Sequence, residues 1–333
     1  MENYLIGKFL CESLNITFVS RIAQSYSKDQ IQTLMIKNLA DLFSTVLQRP
    51  KRTLVVVSAN DQHSVEAAYH AVTTGLIHAT LIGNESIIKE ICAGEKFDTS
   101  LLKIIHQPDD RLAAALAVEM IRKKEGDILM KGLLPTDQFI KAILDKEKGL
   151  LDPGNILSHV TVIQNPNYYK LMIVSDVAVL PQPDLGQKVQ MIRYMVQTAS
   201  ALGISRPKVA VIAPSEQLLM QLESSRDAAF LSKMGERGQI KGCLIDGPLA
   251  LDLAIDKESA RIKGIGGEVA GDADCLLFPN LDAGNIFYKT NMKLAKAESA
   301  AMLVGARVPV VLTSRGDSTL TKQYSIALAS LVS

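Results

Sequence analysis

Tryptophan is absent from this 333-residue chain, and Tyr and Phe number only eight each. With aromatics at 5%, the chain lacks the stacking platforms that single-stranded nucleic acids use. Neither sign of charge dominates either. The 36 Lys and Arg against 35 Asp and Glu leave a net charge of +1, which gives no electrostatic footprint for nucleic acid or an anionic membrane. The four cysteines, Cys11, Cys92, Cys243 and Cys275, lie far apart with no C-x-x-C pair. Their apolar neighbours suit buried thiols in a reducing compartment, and nothing local marks one as a nucleophile. No apolar run reaches the roughly 18 residues of a membrane span; the best, Leu171 to Leu180, is short and holds Asp176. Glu2, Lys8, Glu12 and Asn15 break up the N-terminus, which is therefore not read as a signal peptide. The expected location is the cytoplasm.

What is present is a 47% apolar chain long enough for two domains. Strand-length apolar runs occur at 53–58, 79–83, 127–131, 160–163, 171–174, 208–212, 242–246, 274–278 and 308–312. Helical patterns such as Ser64 to Thr74, Arg111 to Lys124 and Val189 to Leu202 lie between them. This alternation predicts parallel sheets covered on both faces, and the number of strands suits two sheets better than one. Asp152-Pro153-Gly154-Asn155 is the expected crossing between domains. Residues 1–34 fit the pattern less well and read as an N-terminal extension, with a helix expected within Asp29 to Leu47. Lys131, Asp176, Asp246 and Ser314-Arg315 follow strands, and in open α/β sheets chemistry collects at the carboxyl ends of strands.

The densest polar cluster is Thr313-Ser314-Arg315-Gly316-Asp317-Ser318, between the run Val308 to Leu312 and a helical pattern carried by Leu320, Tyr324, Ala327/Leu328 and Leu331. The N–H groups of a helix start attract anions, and arginine adds a fixed fork for phosphate or carboxylate. An ordinary cap by Asp317 or Ser318 is the competing reading.

Six segments, in order, carry a resemblance. They are Asp127-Ile128-Leu129-Met130-Lys131-Gly132, Leu157-Ser158-His159-Val160, Asp246 to Asp252, Ala270 to Asp274, Phe278 to Lys289 and Thr313 to Ser318. Over roughly residues 50–333 the chain resembles the phosphate acetyltransferase and phosphate butyryltransferase family, more closely its butyryl branch. The resemblance implies an α/β fold of two lobes with a deep interlobe cleft, similar to isocitrate/isopropylmalate dehydrogenase. The first lobe would hold residues 1–157 with 310–333, the second 158–309. It implies reversible acyl transfer between coenzyme A and inorganic phosphate by direct attack in a ternary complex (butyryl-CoA plus phosphate giving butyryl phosphate plus CoA). Coenzyme A would be a substrate, with no permanent cofactor and no metal. A homodimer or larger homo-oligomer is implied, and an acyl (butyrate) kinase as metabolic partner.

By the same resemblance Ser314 and Arg315 match the family's catalytic pair, with Ser314 on the reacting carbonyl or thiol and Arg315 on the phosphate. The acetyl branch places a catalytic Asp seven positions after the Ser, where this chain has Thr321. That leaves Asp317 as the nearest carboxylate, to orient Arg315, accept a proton or cap the helix. Thr313, Lys131, Thr136, Lys141, Asn285 and Lys289 complete the expected phosphate and substrate contacts. Thr136 also suits a helix cap, Asn285 the N-cap of a helix running Ile286 to Met302, and Lys131 or Lys141 a solvated surface charge. Asp272, Asp274 and Asp282 suit turns and caps rather than a metal. His159 reads as a structural histidine before a titrating one. Three alternatives stay open: an acetyl-specific enzyme, a metal- and NAD(P)-dependent dehydrogenase of similar fold, and a non-catalytic coenzyme A-binding relative.

Overall fold

A computed structural model describes residues 35–312 and 318–333. The first half alternates α1 (Asp41–Leu47), β1 (Arg52–Val57), α2 (Gln62–Thr73), β2 (Ile77–Gly83), α3 (Glu85–Gly94), β3 (Lys103–His106), α4 (Asp110–Arg122), β4 (Ile128–Lys131) and α5 (Thr136–Ile143). The second half holds β5 (Ser158–Gln164), β6 (Met172–Ser175), α6 (Leu185–Ala201), β7 (Lys208–Ile212), α7 (Glu223–Glu236), β8 (Leu244–Leu249), α8 (Leu251–Ile255), α9 (Lys257–Ile262), β9 (Cys275–Leu277), α10 (Leu281–Lys293) and β10 (Glu298–Val304). The chain ends in β11 (Val310–Val311) and α11 (Thr319–Val332). The described part of the expected N-terminal helix is α1.

The strands form one mixed sheet of 11, in the order β3-β2-β1-β4-β11-β10-β5-β6-β9-β7-β8. This corrects the expectation of two parallel sheets. Two parallel blocks exist, β3-β2-β1-β4-β11 and β6-β9-β7-β8. They are bridged by β10 and β5, which run antiparallel to each other and to their outer neighbours. The bridging strand is the one the sequence hides. Glu298-Ser299-Ala300-Ala301-Met302 has the composition of a helix, yet its seven residues pair with the whole of β5, because tertiary pairing overrides weak propensity. The expected helix from Ile286 to Met302 therefore stops at Lys293.

Register explains where the site falls. Leu129, Val310, Leu303 and His159 occupy one row across β4, β11, β10 and β5. Thr161 faces Val174, so Asp176, two residues past Val174, returns to the level of His159. The two blocks run in opposite directions. This stagger nevertheless brings their carboxyl ends, Lys131 and Leu312 on one side and Ser175-Asp176 on the other, to the same part of the sheet.

Both faces are covered. One continuous core joins Leu42 of α1, Ala68 of α2, Ile192 of α6 and Leu328 of α11 to Val56, Val160, Met302 and Val209 of the sheet. The opposite face packs under α4 and α5 in the first block, through Ala117 and Phe139, and under Leu253 of α8 in the second. Helix α11 is buried along most of its length, as its apolar spacing predicts. Gln323 of α11 donates to Ala67 O at 2.8 Å, and Ala301 N of β10 donates to Ser325 Oγ at 3.0 Å. The last helix thus clamps the first block to the bridge. Among the described residues no helix is long and apolar enough to cross a membrane.

Candidate active site

The converging strand ends enclose a cavity of 620 Å³. Lys131 comes from the end of β4, with Leu133, Leu134, Pro135 and Thr136 leading into α5. Val177 and Ala178 follow β6, and His159 and Ala301 come from the bridging strands. Asn285, Tyr288 and Lys289 project from α10, while Leu312, Thr321 and Ser325 flank the β11–α11 connection.

One carboxylate shapes the wall without lining it. Asp176 is 1% exposed. Its Oδ2 accepts from Ser158 Oγ at 2.9 Å and His159 N at 2.8 Å; its Oδ1 accepts from Ala178 N at 2.7 Å and Val179 N at 2.8 Å. Four donors satisfy a buried charge and fix the turn that carries Val177 and Ala178. Helix α10 docks on that turn. A Cβ on Gly284 would lie 2.1 Å from Asp176 O, so glycine is what lets the helix approach. Asn285 then donates from Nδ2 to Val177 O at 3.0 Å. These contacts account for Asp282-Ala283-Gly284-Asn285 as a local unit. The N-cap of α10 is Asn280, whose side chain accepts from Ala283 N. Asn285, expected at that position, sits inside the helix and faces the cavity instead.

The electrostatics are one-sided. The described lining contains the ammonium groups of Lys131 and Lys289 and no carboxylate. Lys131 Nζ donates to Gly132 O at 3.0 Å and Leu134 O at 3.1 Å, bracing the loop that opens α5. A Cβ at Gly132 would meet Ser58 O at 2.4 Å, which is why this crossing uses glycine. Lys289 Nζ lies 5.2 Å from the Tyr288 ring centroid, a cation–π distance. Thr136 is the first residue of α5 rather than its cap. Pro135 holds the cap position, and no side chain caps the helix. The opening N–H groups of α5 thus adjoin the cavity without a side-chain acceptor among the described residues, a setting that favours an anion.

Of the residues expected at the site, Lys131, Thr136, Asn285 and Lys289 are brought together here. Lys141 is not: it lies on the exposed side of α5 and pairs with Asp137 at 3.3 Å. Thr313, Ser314, Arg315 and Asp317 lie outside the described residues. Leu312 before them and Thr321 after them both line the cavity. Ser318 caps α11, its Oγ accepting from Thr321 N at 3.1 Å. Asp272 and Asp274 form an ion cluster with Lys170 and Lys208 at the amino ends of β6, β7 and β9. There burial, followed by the Asp274 charge, pushes the Asp272 carboxyl up. Tyr288, Ala301 and Ser325 were not anticipated. Tyr288 was accessible in principle, since positions 285, 288 and 289 share one helical face.

A model of the family described as phosphate acetyl/butaryl transferase matches residues 110–330. The chain belongs to this family. A phosphate butyryltransferase of Clostridium acetobutylicum is 41% identical over 298 residues, covering 90% of this chain and 99% of that protein. A phosphate acetyltransferase of Thermotoga maritima is 43% identical over 280 residues, 84% of this chain and 95% of that protein. Among solved structures, a branched-chain phosphotransacylase from Enterococcus faecalis V583 superposes with a TM-score of 0.72 at 27% identity, covering 84% of this chain and 99% of that one. As a member of the phosphate acetyl/butyryl transferase family, the chain moves acyl groups between coenzyme A and phosphate. That displaces the dehydrogenase reading. A 4-hydroxythreonine-4-phosphate dehydrogenase from Klebsiella pneumoniae shares the fold alone, at TM-score 0.51 and 10% identity.

Proposed function

We propose that the chain is a phosphate butyryltransferase, converting butyryl-CoA and phosphate to butyryl phosphate and coenzyme A in one ternary complex. The observation that carries this reading is the cavity itself: two ammonium groups and a helix start that no described side chain caps for the phosphate, beside Leu133, Leu134, Val177, Ala178 and Leu312 for a short alkyl chain. Holding both substrates in one cavity supplies rate through orientation. Arg315 is assigned to the phosphate and Ser314 to the carbonyl or thiol, with Asp317 orienting the arginine and Thr313 adding a phosphate contact. The position of Leu312 and Thr321 in the cavity wall supports these assignments. The molecule is read as two lobes whose strands β10 and β11 meet at the paired position Leu303–Val310, in the manner of isocitrate dehydrogenase. It is read as working as a homo-oligomer that feeds an acyl kinase.

The test is a thiol-consumption assay with coenzyme A and acetyl, propionyl, butyryl, isobutyryl and isovaleryl phosphates. Butyryl phosphate is expected to exceed acetyl phosphate in kcat/KM by about tenfold, the value of burying two methylenes. R315A is expected to lose at least about 10² in turnover. Absence of thiol consumption with every member of the panel rejects the function.

A further inference from the structure

We infer that His159 is the proton-transfer group of this reaction, an inference that rests on the function proposed above. When coenzyme A attacks butyryl phosphate, the sulfur–carbon bond forms and the thiol proton passes to the imidazole. The carbon–oxygen bond to the phosphoryl group breaks, and phosphate leaves with its electron pair. In the opposite direction a phosphate oxygen attacks the thioester carbonyl, the carbon–sulfur bond breaks toward sulfur, and the imidazolium protonates the departing thiolate.

Two observations converge on this residue. Its side chain lines the cavity, and it is the one group in the described lining whose side-chain type titrates in the neutral range. The other titratable groups there are Lys131 from β4 and Tyr288 and Lys289 from α10, types that change charge about three or more pH units higher. Second, the residue is held at both ends. Its backbone N–H is fixed by buried Asp176, and its ring Nδ1 lies 3.1 Å from the hydroxyl of Thr161, which is fully buried two residues on along the same strand face.

The experiment compares wild type, H159Q and T161V in both directions from about pH 6 to about pH 9.5, with thermal unfolding of each. In the thiol-consuming direction H159Q is expected to lose about 10² in kcat near pH 7, with KM within about threefold of wild type. The loss should shrink above the thiol pKa of about 8.5, where the nucleophile ionises unaided. The wild-type rate should rise with pH through the histidine range in this direction and fall in the other. T161V should show the same pattern at about a tenth of its size. A folded H159Q with wild-type kcat, or with a loss that does not vary with pH, overturns the role. If H159Q fails to fold, a pH-independent rate ratio for T161V overturns it. A wild type that consumes no thiol overturns the function itself; an active wild type with an unaffected variant overturns only the histidine.

Discussion

Asp176 shows how much one residue decides here. Its two oxygens receive a hydroxyl and three backbone N–H groups from β5 and the turn after β6. Replacement by asparagine keeps the shape but turns an NH2 toward donors. Asp176→Asn should therefore destabilise by about 2–4 kcal/mol, more than an ordinary hydrogen bond because buried donors lose their acceptor. Urea unfolding should show a lower midpoint at unchanged slope. Residue-scale chemistry also sets thiol reactivity. Burial pushes the Cys243 thiol up to about 11, against a small opposing effect of Arg206. Only the thiolate reacts, so at pH 8 alkylation of Cys243 should run at least about tenfold slower than that of a free cysteine. Its rate should still be climbing at pH 10. Peptide mapping after iodoacetamide treatment measures this, and a rate that levels off near pH 9 contradicts it.

At the scale of elements, the cavity wall depends on how closely α10 meets the turn 176–179. Gly284→Ala would place a methyl group on Asp176 O. The helix must shift outward, costing about 1–3 kcal/mol and moving Asn285, Tyr288 and Lys289 together. Gly284→Ala should raise KM for the acyl phosphate by about tenfold and lower the melting temperature. An unchanged KM would show that α10 does not position substrate. Elements also mark where sequence reading succeeded and where it failed. Runs of continuous apolar character were legible: Lys208 to Ile212 is β7 and Ile128 to Lys131 is β4. Two strands were missed for different reasons. Lys103–His106 is an edge strand, half-exposed and too short to look apolar. Glu298–Val304 looks helical in isolation and becomes a strand only because β5 is there to pair with it.

For the whole molecule, the first block joins the bridging strands through one paired position between β10 and β11, yet the core runs without a break from α1 to β7. Helix α11 lies across it and bonds to both sides. Unfolding should accordingly be cooperative: a probe in the first block and one in the second should report the same urea midpoint. Midpoints separated by more than about 0.5 M, at slopes typical of such unfolding, would mean that the blocks unfold independently.

The sequence by itself determined the α/β class, most strands, the last helix and the family, because apolar periodicity and ordered motifs are local properties. It also pointed to Lys131, Thr136, Asn285 and Lys289 before their proximity could be known. The tertiary structure alone decided that one sheet forms rather than two. It alone excluded Lys141 from the cavity and placed Asp176, Tyr288 and His159 around one space. Those outcomes depend on the register across β4, β11, β10 and β5, and register arises between segments far apart in the chain, where no local pattern records it.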